Sequence, residues 1–212
     1  MTNLNDIKNY TYVKELGVGI TGYVSLAQHK HTNQFYAIKC FQLRKRILTE
    51  HIPRDFYLLN FSSVLSKSDF NDEVRLHTLF NSKNVGPILY ASWIENGLGY
   101  MVLEVWDRHL ENGETLTEKE YSKIKNQIQT IHKCGYLHLD IKSDNILVKL
   151  DQNNEIIDIT ITDFGLMPVS IRDALEKGAH FDVCNRLKYF PNKPEDVDMK
   201  LLEIMKTQLN IS

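Results

Sequence analysis

The chain has 212 residues, 42% hydrophobic and 25% charged, with a formal net charge of −2; this is enough for one globular domain or two small lobes and excludes a disordered polymer. The near-neutral balance gives no general pull toward nucleic acid or a membrane surface. No stretch approaches the ~20 uninterrupted apolar residues of a spanning helix, and the first residues lack the basic and apolar segments of a cleaved leader. Cys40, Cys134 and Cys184 are odd in number and in no metal-ligand spacing, so reduced, semi-buried thiols in an intracellular, cytoplasmic setting are expected.

Residues 10–16 read as a strand that enters Gly17-Val18-Gly19-Ile20-Thr21-Gly22. A glycine run of this spacing also marks dinucleotide-binding turns, which open a helix at the third glycine. Here 23–27 is strand-patterned, and after a turn at 29–33 the chain resumes Phe35-Tyr36-Ala37-Ile38-Lys39 as a second strand. Such a strand-loop-strand flap can lie over phosphates, because its glycines let backbone N–H groups approach the oxygens with no Cβ in the way. Lys39 taken alone is a strand-end surface lysine.

Residues 41–68 are less regular. The run Arg44-Lys45-Arg46 is basic, and Pro53 followed by Phe56, Tyr57 and Leu59 could open a short amphipathic helix. The run reads as a solvated face or a docking site. Helical spacing over 69–80 puts Phe70, Val74 and His77 on one side. After Gly86-Pro87, strands at 88–94 and 100–105 turn at Asn96-Gly97. Thr117 and Glu120 form a capping box that starts a helix with Tyr121, Ile124, Ile128 and Ile131 in one stripe, ending near Gly135. His132 is expected to pack there.

The stretch His138-Leu139-Asp140-Ile141-Lys142-Ser143-Asp144-Asn145 is too polar for a core strand and too interrupted for a helix. It reads as a loop carrying chemistry. Strands at 146–150 and 156–162 form a hairpin about 151–154, which presents Asp163-Phe164-Gly165 at its end. Individually, Asp140 could be a turn acid, Asn145 a cap and Asp163 a loop carboxylate.

Together and in order, the glycine flap, the strand lysine, the 138–145 loop and Asp163-Phe164-Gly165 resemble a eukaryotic-type protein kinase domain over about residues 10–190. The resemblance implies an α+β, bilobal kinase-like fold. Its β-rich N-lobe with αC helix would occupy 1–105, including an insertion at 41–68, and a minimal, mainly helical C-lobe would occupy 106–212. It implies ATP and Mg²⁺ as cofactors. Gly17, Val18, Gly19, Gly22, Val24, Ala37 and Lys39 would then bind the nucleotide, with Lys39 on its phosphates. Leu103 would guard the back of the adenine pocket, and backbone groups of Glu104 and Trp106 would hydrogen-bond the base; Trp106 reads equally as core packing.

By the same resemblance Glu73 is the carboxylate that pairs with Lys39, and Asp72 is the alternative. Asp140 would accept or orient the proton of the substrate hydroxyl, and Asn145 with Asp163 would hold Mg²⁺. Lys142, two residues after Asp140, would stabilise the transferring phosphoryl group, and a lysine there is similar to the serine/threonine-specific branch. Asp182 in Phe181-Asp182-Val183 would brace the loop backbone from the start of the αF helix, and a helix over 198–208 would cover the remaining apolar floor.

Departures from the family pattern carry expectations too. Leu139 stands where many kinases have an arginine that receives an activation-loop phosphate. Between Gly165 and Phe181 the only hydroxyl is Ser170, expected to be a turn or cap residue. Activation by loop phosphorylation is therefore expected to be absent. No A-P-E follows, and the shortened C-lobe is similar to compact kinases of large DNA viruses and bacterial effectors. The expected activity is transfer of the ATP γ-phosphate to protein hydroxyl groups, with a protein substrate and an activating or docking protein as possible partners. Two other functions compete: a kinase-fold binding scaffold acting through a partner, and a small-molecule phosphotransferase.

Overall fold

The computed structural model describes residues 3–19, 22–43, 64–165, 169–178, 180–189 and 192–211. The basic run at 44–46 and the helix expected after Pro53 lie outside them. The chain divides into two compact units, Met1–Asn81 with Pro87–Trp106, and Ser82–Gly86 with Asp107–Ser212.

In the first unit a 3-10 turn (Ile7–Asn9) precedes five antiparallel strands: β1 (Tyr10–Val18), β2 (Tyr23–His29), β3 (Phe35–Gln42), β4 (Leu89–Glu95) and β5 (Leu98–Leu103). Their order in the sheet is β1-β2-β3-β5-β4. Turn chemistry sets the register. The Gly19 N–H donates to the Gly22 carbonyl at 2.8 Å, and a Cβ on Gly22 would lie 2.8 Å from the Cys40 carbonyl oxygen, so only glycine lets β2 start this close to β3. Between β4 and β5, Asn96 (φ 51°) and Gly97 (φ 83°) both take the left-handed conformation that a two-residue hairpin favours.

Strand alternation sorts β3 into two faces. Tyr36, Ile38 and Cys40 join Ile7, Tyr10, Tyr100 and Val102 in one apolar cluster. Ala37 and Phe41 join Phe70, Met101 and Leu103 in the other. Lys39 shares the second face, where helix α1 (Lys67–Asn81) packs. Ser66 and Asp69 cap α1 reciprocally: the Asp69 N–H donates to Ser66 Oγ at 3.1 Å and the Ser66 N–H to Asp69 Oδ2 at 2.9 Å. The helix buries Phe70, Glu73, Leu76, His77 and Phe80. Phe70 lies edge-on to Phe41, centroids 5.4 Å apart, and reaches β5 because Gly99 has no side chain.

The second unit is built on α2 (Glu118–Lys133), whose expected capping box is present and whose buried face is Ile124, Gln127, Ile128 and Ile131. Gly135 (φ 86°) ends it. The short strands β6 (Arg108–His109) and β7 (Thr115–Leu116) precede it, and β8 (Tyr136–Leu137) follows. Strands β9 (Ile146–Leu150) and β10 (Ile156–Ile161) form the expected hairpin, with β6 added beside β9. At its turn, Asp151 Oδ1 accepts the N–H groups of Asn153 and Glu155. The rest is short: β11 (Val169–Ser170), α3 (Ile171–Lys177), α4 (Phe181–Leu187), α5 (Asp196–Lys206) and β12 (Asn210–Ile211). Leu137, Leu139, Ala174, Val183, Cys184 and Val197 make their common core. No helix among the described residues is long and apolar enough to cross a membrane.

A Cβ at Gly99 would sit 2.6 Å from the Phe70 ring, which is packed edge-on to Phe41. Gly99→Ala is expected to cost about 1–3 kcal/mol by overpacking, read as a lower urea midpoint with an unchanged slope.

Candidate functional site

In the first unit, Lys39 and Glu73 form a nearly dry ion pair. Lys39 Nζ lies 2.7 Å from Glu73 Oε1, with side-chain exposures of 12% and 3%, and 5.0 Å from the centroid of the Phe41 ring. Asp72, one residue earlier, is turned to solvent and pairs with Arg75. Helix phase decides between the two acids, because Glu73 shares the buried face with Phe70 and His77.

Other expected nucleotide residues surround this lysine in the sheet. Val24 is in register with both Lys39 and Gly17, Val18 with Tyr23, and Ala37 with Leu103. Val24 packs on the cluster that contains Ala37 and Leu103. Gly19 closes on Gly22 as described, while Ile20 and Thr21 lie outside the described residues. The Glu104 N–H donates to the Ile88 carbonyl at 2.8 Å. Trp106 is buried, and its indole N–H donates to Glu104 Oε2 at 3.2 Å.

One turn beyond Glu73, His77 is buried and its Nε2 donates to the Pro87 carbonyl at 2.7 Å. Burial lowers its pKa from 6.5 to about 4; the Pro87 carbonyl opposes the shift and the charge of Lys39 adds to it. The ring is therefore neutral at pH 7.

In the second unit, residues 138–145 form a loop closed by a 3-10 turn (Ser143–Asn145). Asn145 Nδ2 donates both to the Asp140 carbonyl and to Asp140 Oδ2, each at 2.8 Å, and Lys142 Nζ lies 2.9 Å from the same Oδ2. The Thr162 N–H donates to the Asn145 carbonyl at 2.9 Å, tying the loop to the segment before Asp163. His138 Nδ1 accepts from the Asp140 N–H, so its Nε2 carries the proton and donates to the Thr162 carbonyl at 3.0 Å. Asp163 takes φ 66°. Phe164 behind it is buried, edge-on to His138 at 6.0 Å and against Gly86, where a Cβ would come within 2.5 Å of the ring.

The residue that braces this loop is Asp198, a correction to the expectation placed on Asp182. Asp182 is exposed in the first turn of α4. Asp198, with 0% exposure, accepts the His138 N–H at 2.8 Å, the Leu139 N–H at 2.6 Å and His132 Nε2 at 2.8 Å. His132 packs as expected, with that bond added. The signal was present: Asp198, Leu202 and Met205 recur at i, i+4 and i+7 on the buried side of α5, an acid where the pattern calls for an apolar residue.

Leu139 holds φ 62° and is buried among Leu137, Ala174 and Val183, with Val169 and Ile171 packed against them. Ser170 is the N-cap of α3, its Oγ accepting the Asp173 N–H at 2.9 Å. For a divalent cation, this unit offers the amide oxygen of Asn145, whose NH₂ group is already committed to Asp140, and the carboxylate of Asp163. Two hard oxygens suit Mg²⁺, which takes few protein ligands and fills its octahedron with phosphates and water. Among the described residues there is no cluster of three or more His, Cys, Asp or Glu side chains fit for a metal.

Removing Asp198 would leave two backbone N–H groups and the half-buried His132 ring without this acceptor. Asp198→Ala is expected to lower stability by at least about 3 kcal/mol and Asp182→Ala by less than about 1 kcal/mol, both read by denaturant titration. His77 adds a pH dependence. Above pH 6.5 it is neutral in both states; as pH falls toward 4, the unfolded chain takes up a proton that the folded chain refuses, so stability declines. Between pH 7 and 5 this amounts to about 2 kcal/mol, and His77→Gln should remove that part of the slope.

The protein kinase domain family matches residues 10–190. The chain is 29% identical over 165 residues to a probable serine/threonine-protein kinase of Dictyostelium discoideum, covering 76% of this chain and 22% of that protein. It is 31% identical over 161 residues to serine/threonine-protein kinase cot-1 of Neurospora crassa, covering 75% and 25%. It is 29% identical over 168 residues to serine/threonine-protein kinase LATS2 of Homo sapiens, covering 76% and 14%. The chain thus matches a quarter or less of the length of these relatives. With the family match over most of its length, a five-stranded first unit and an α2-based second unit, this chain belongs to the protein kinase domain family.

Proposed function

We propose that the chain is a serine/threonine protein kinase that uses ATP and Mg²⁺ to phosphorylate protein hydroxyl groups. The observation that carries this reading is the 138–145 loop, in which Asp140, Lys142 and Asn145 are joined through one carboxylate oxygen. The Lys39–Glu73 pair in the other unit supports it, as does membership of a family whose matched relatives are named serine/threonine-protein kinases.

Phosphoryl transfer asks for alignment and charge neutralisation more than covalent chemistry. Lys39 pairs the α- and β-phosphates, and Glu73 holds its ammonium in place. The backbone of Gly17, Val18, Gly19 and Gly22 lies over the phosphates, its glycines putting no Cβ in the way. Val24, Ala37 and Leu103 contact the adenine, and the Glu104 carbonyl and the Trp106 backbone bond its edge. Asp140 orients the attacking hydroxyl and accepts its proton. Lys142 places positive charge at the phosphoryl group in flight. Mg²⁺, held through Asn145 Oδ1 and Asp163, neutralises phosphate charge when bound.

The proposed enzyme does not wait for phosphorylation of the segment after Gly165. Leu139 offers a phosphate no charge, and its burial with Val169 and Ile171 supports a segment set by packing. Ser170 has its hydroxyl in a helix cap.

Labelled ATP with Mg²⁺ and generic basic proteins should give label transfer, with Lys39→Met and Asp163→Asn each reducing it at least ~100-fold. Nucleotide binding with no transfer would point to a scaffold, and transfer to metabolites alone to a small-molecule phosphotransferase. Ser170→Ala should keep full activity while losing about 0.5–2 kcal/mol of stability with the cap.

A further inference from the structure

We propose that Asn112 is a positioning residue for the 138–145 loop: through Ser143 it fixes the start of the 3-10 turn and so the approach of Lys142 to Asp140. The inference rests on the kinase reading of that loop. Its basis is a hydrogen bond between segments 31 residues apart in sequence. Ser143 is buried, and its hydroxyl donates to Asn112 Oδ1 at 3.0 Å. Asn112 itself is exposed, so its side chain is not there to fill a core.

The turn that carries Asn112 is fastened before, across and behind. Before it, β6 pairs with β9, and the Leu110 N–H donates to the Ile146 carbonyl at 2.8 Å. Arg108 spans the turn and grips Glu114 with two nitrogens, Nη1 to Oε2 at 2.8 Å and Nη2 to Oε1 at 2.6 Å, a planar pairing that fixes orientation as well as distance. Behind it, the Gly113 N–H donates to the Gln208 carbonyl at 2.8 Å, and the Gly113 carbonyl accepts Asn210 Nδ2 at 2.9 Å. Strand β12 then pairs in parallel with β7. The side chain that this turn offers to the loop is Asn112.

The loop is already secured at its ends, by Asp198 at His138 and Leu139 and by the bond from the Thr162 N–H to the Asn145 carbonyl. Between them Ile141 is buried, which keeps the loop down on its unit. Lys142 is the N-cap of the 3-10 turn, with an extended backbone (φ −159°, ψ 165°) and no capping bond from its side chain; its ammonium goes to Asp140 Oδ2 instead. The next side chain, Ser143, ties the start of the turn sideways, and the tie ends on Asn112. A long lysine whose side chain is 48% exposed holds its place beside a reacting group only as well as its backbone is held.

Label transfer from ATP to a histone gives kcat and KM for ATP, with the thermal midpoint measured beside them. Asn112→Leu removes the acceptor and is expected to lower kcat at least ~5-fold while changing KM for ATP less than ~2-fold, because other residues hold the nucleotide. Asn112→Asp keeps an oxygen for Ser143 and should stay within ~2-fold of the unaltered chain. Ser143→Ala removes the donor and should reproduce the loss; adding Asn112→Leu to it should change kcat by less than ~2-fold more. A purely structural asparagine would shift the thermal midpoint and leave kcat where it was.

An unchanged kcat in Asn112→Leu, equal losses in the leucine and aspartate variants, or a full loss persisting on the Ser143→Ala background would each overturn the proposal. Should Ser143→Ala fail to fold, the comparison of leucine with aspartate at the exposed position 112 decides alone. Lys39→Met separates the two readings. If it leaves label transfer intact, the kinase reading fails; if it abolishes transfer while Asn112→Leu is silent, only the role of Asn112 fails.

Discussion

A carboxylate with no exposed surface needs hydrogen-bond donors around it, and the second unit is arranged to supply them to Asp198. Two come from successive backbone N–H groups, His138 and Leu139, and one from the His132 ring. Aiming neighbouring N–H groups at one side chain forces the backbone to curl, and Leu139 takes a left-handed conformation that disfavours an L-residue by roughly 1–2 kcal/mol. Its side chain sits in the shared core of α3, α4 and α5, which offsets that strain. From this curl the chain emerges at Asp140, so the position of the Asp140 carboxylate traces back to an acid about sixty residues downstream.

Much of this was legible in the order of residues because it rests on short-range physics. The 23–27 segment is strand-patterned where a dinucleotide site would begin a helix, and that excluded the competing glycine motif; β2 begins at Tyr23. Thr117 and Glu120 satisfy each other's backbone across one turn, so the start of α2 could be read directly. Asn96-Gly97 announced a hairpin because both positions need positive φ. The choice of Glu73 over Asp72 came from the resemblance, and the structure agrees with it because Glu73 shares the buried face of Phe70 and His77.

What could not be read depends on which distant segments meet. Asp182 and Asp198 both begin short helices, and only packing reveals which one faces inward: α4 points its acid to solvent, while α5 carries Asp198 on the side that holds Val197 and Leu202. His77 looked like one more member of an apolar stripe, since nothing nearby in sequence announces that its partner is a proline carbonyl ten residues on. Gly99 lies just before the strand expected at 100–105 but belongs to β5, and only the fold lays Phe70 against it.

Asn145 has a further consequence. Its NH₂ group grips Asp140 at both backbone and side chain, which leaves its oxygen facing away on the same rigid amide plane. The proton acceptor and the cation ligand of the proposed reaction are therefore opposite ends of one lever. A substitution that shifts the Asn145 amide would disturb both. In that proposed reaction, adaptation to a new substrate would keep this pair in place and work through the segments around it.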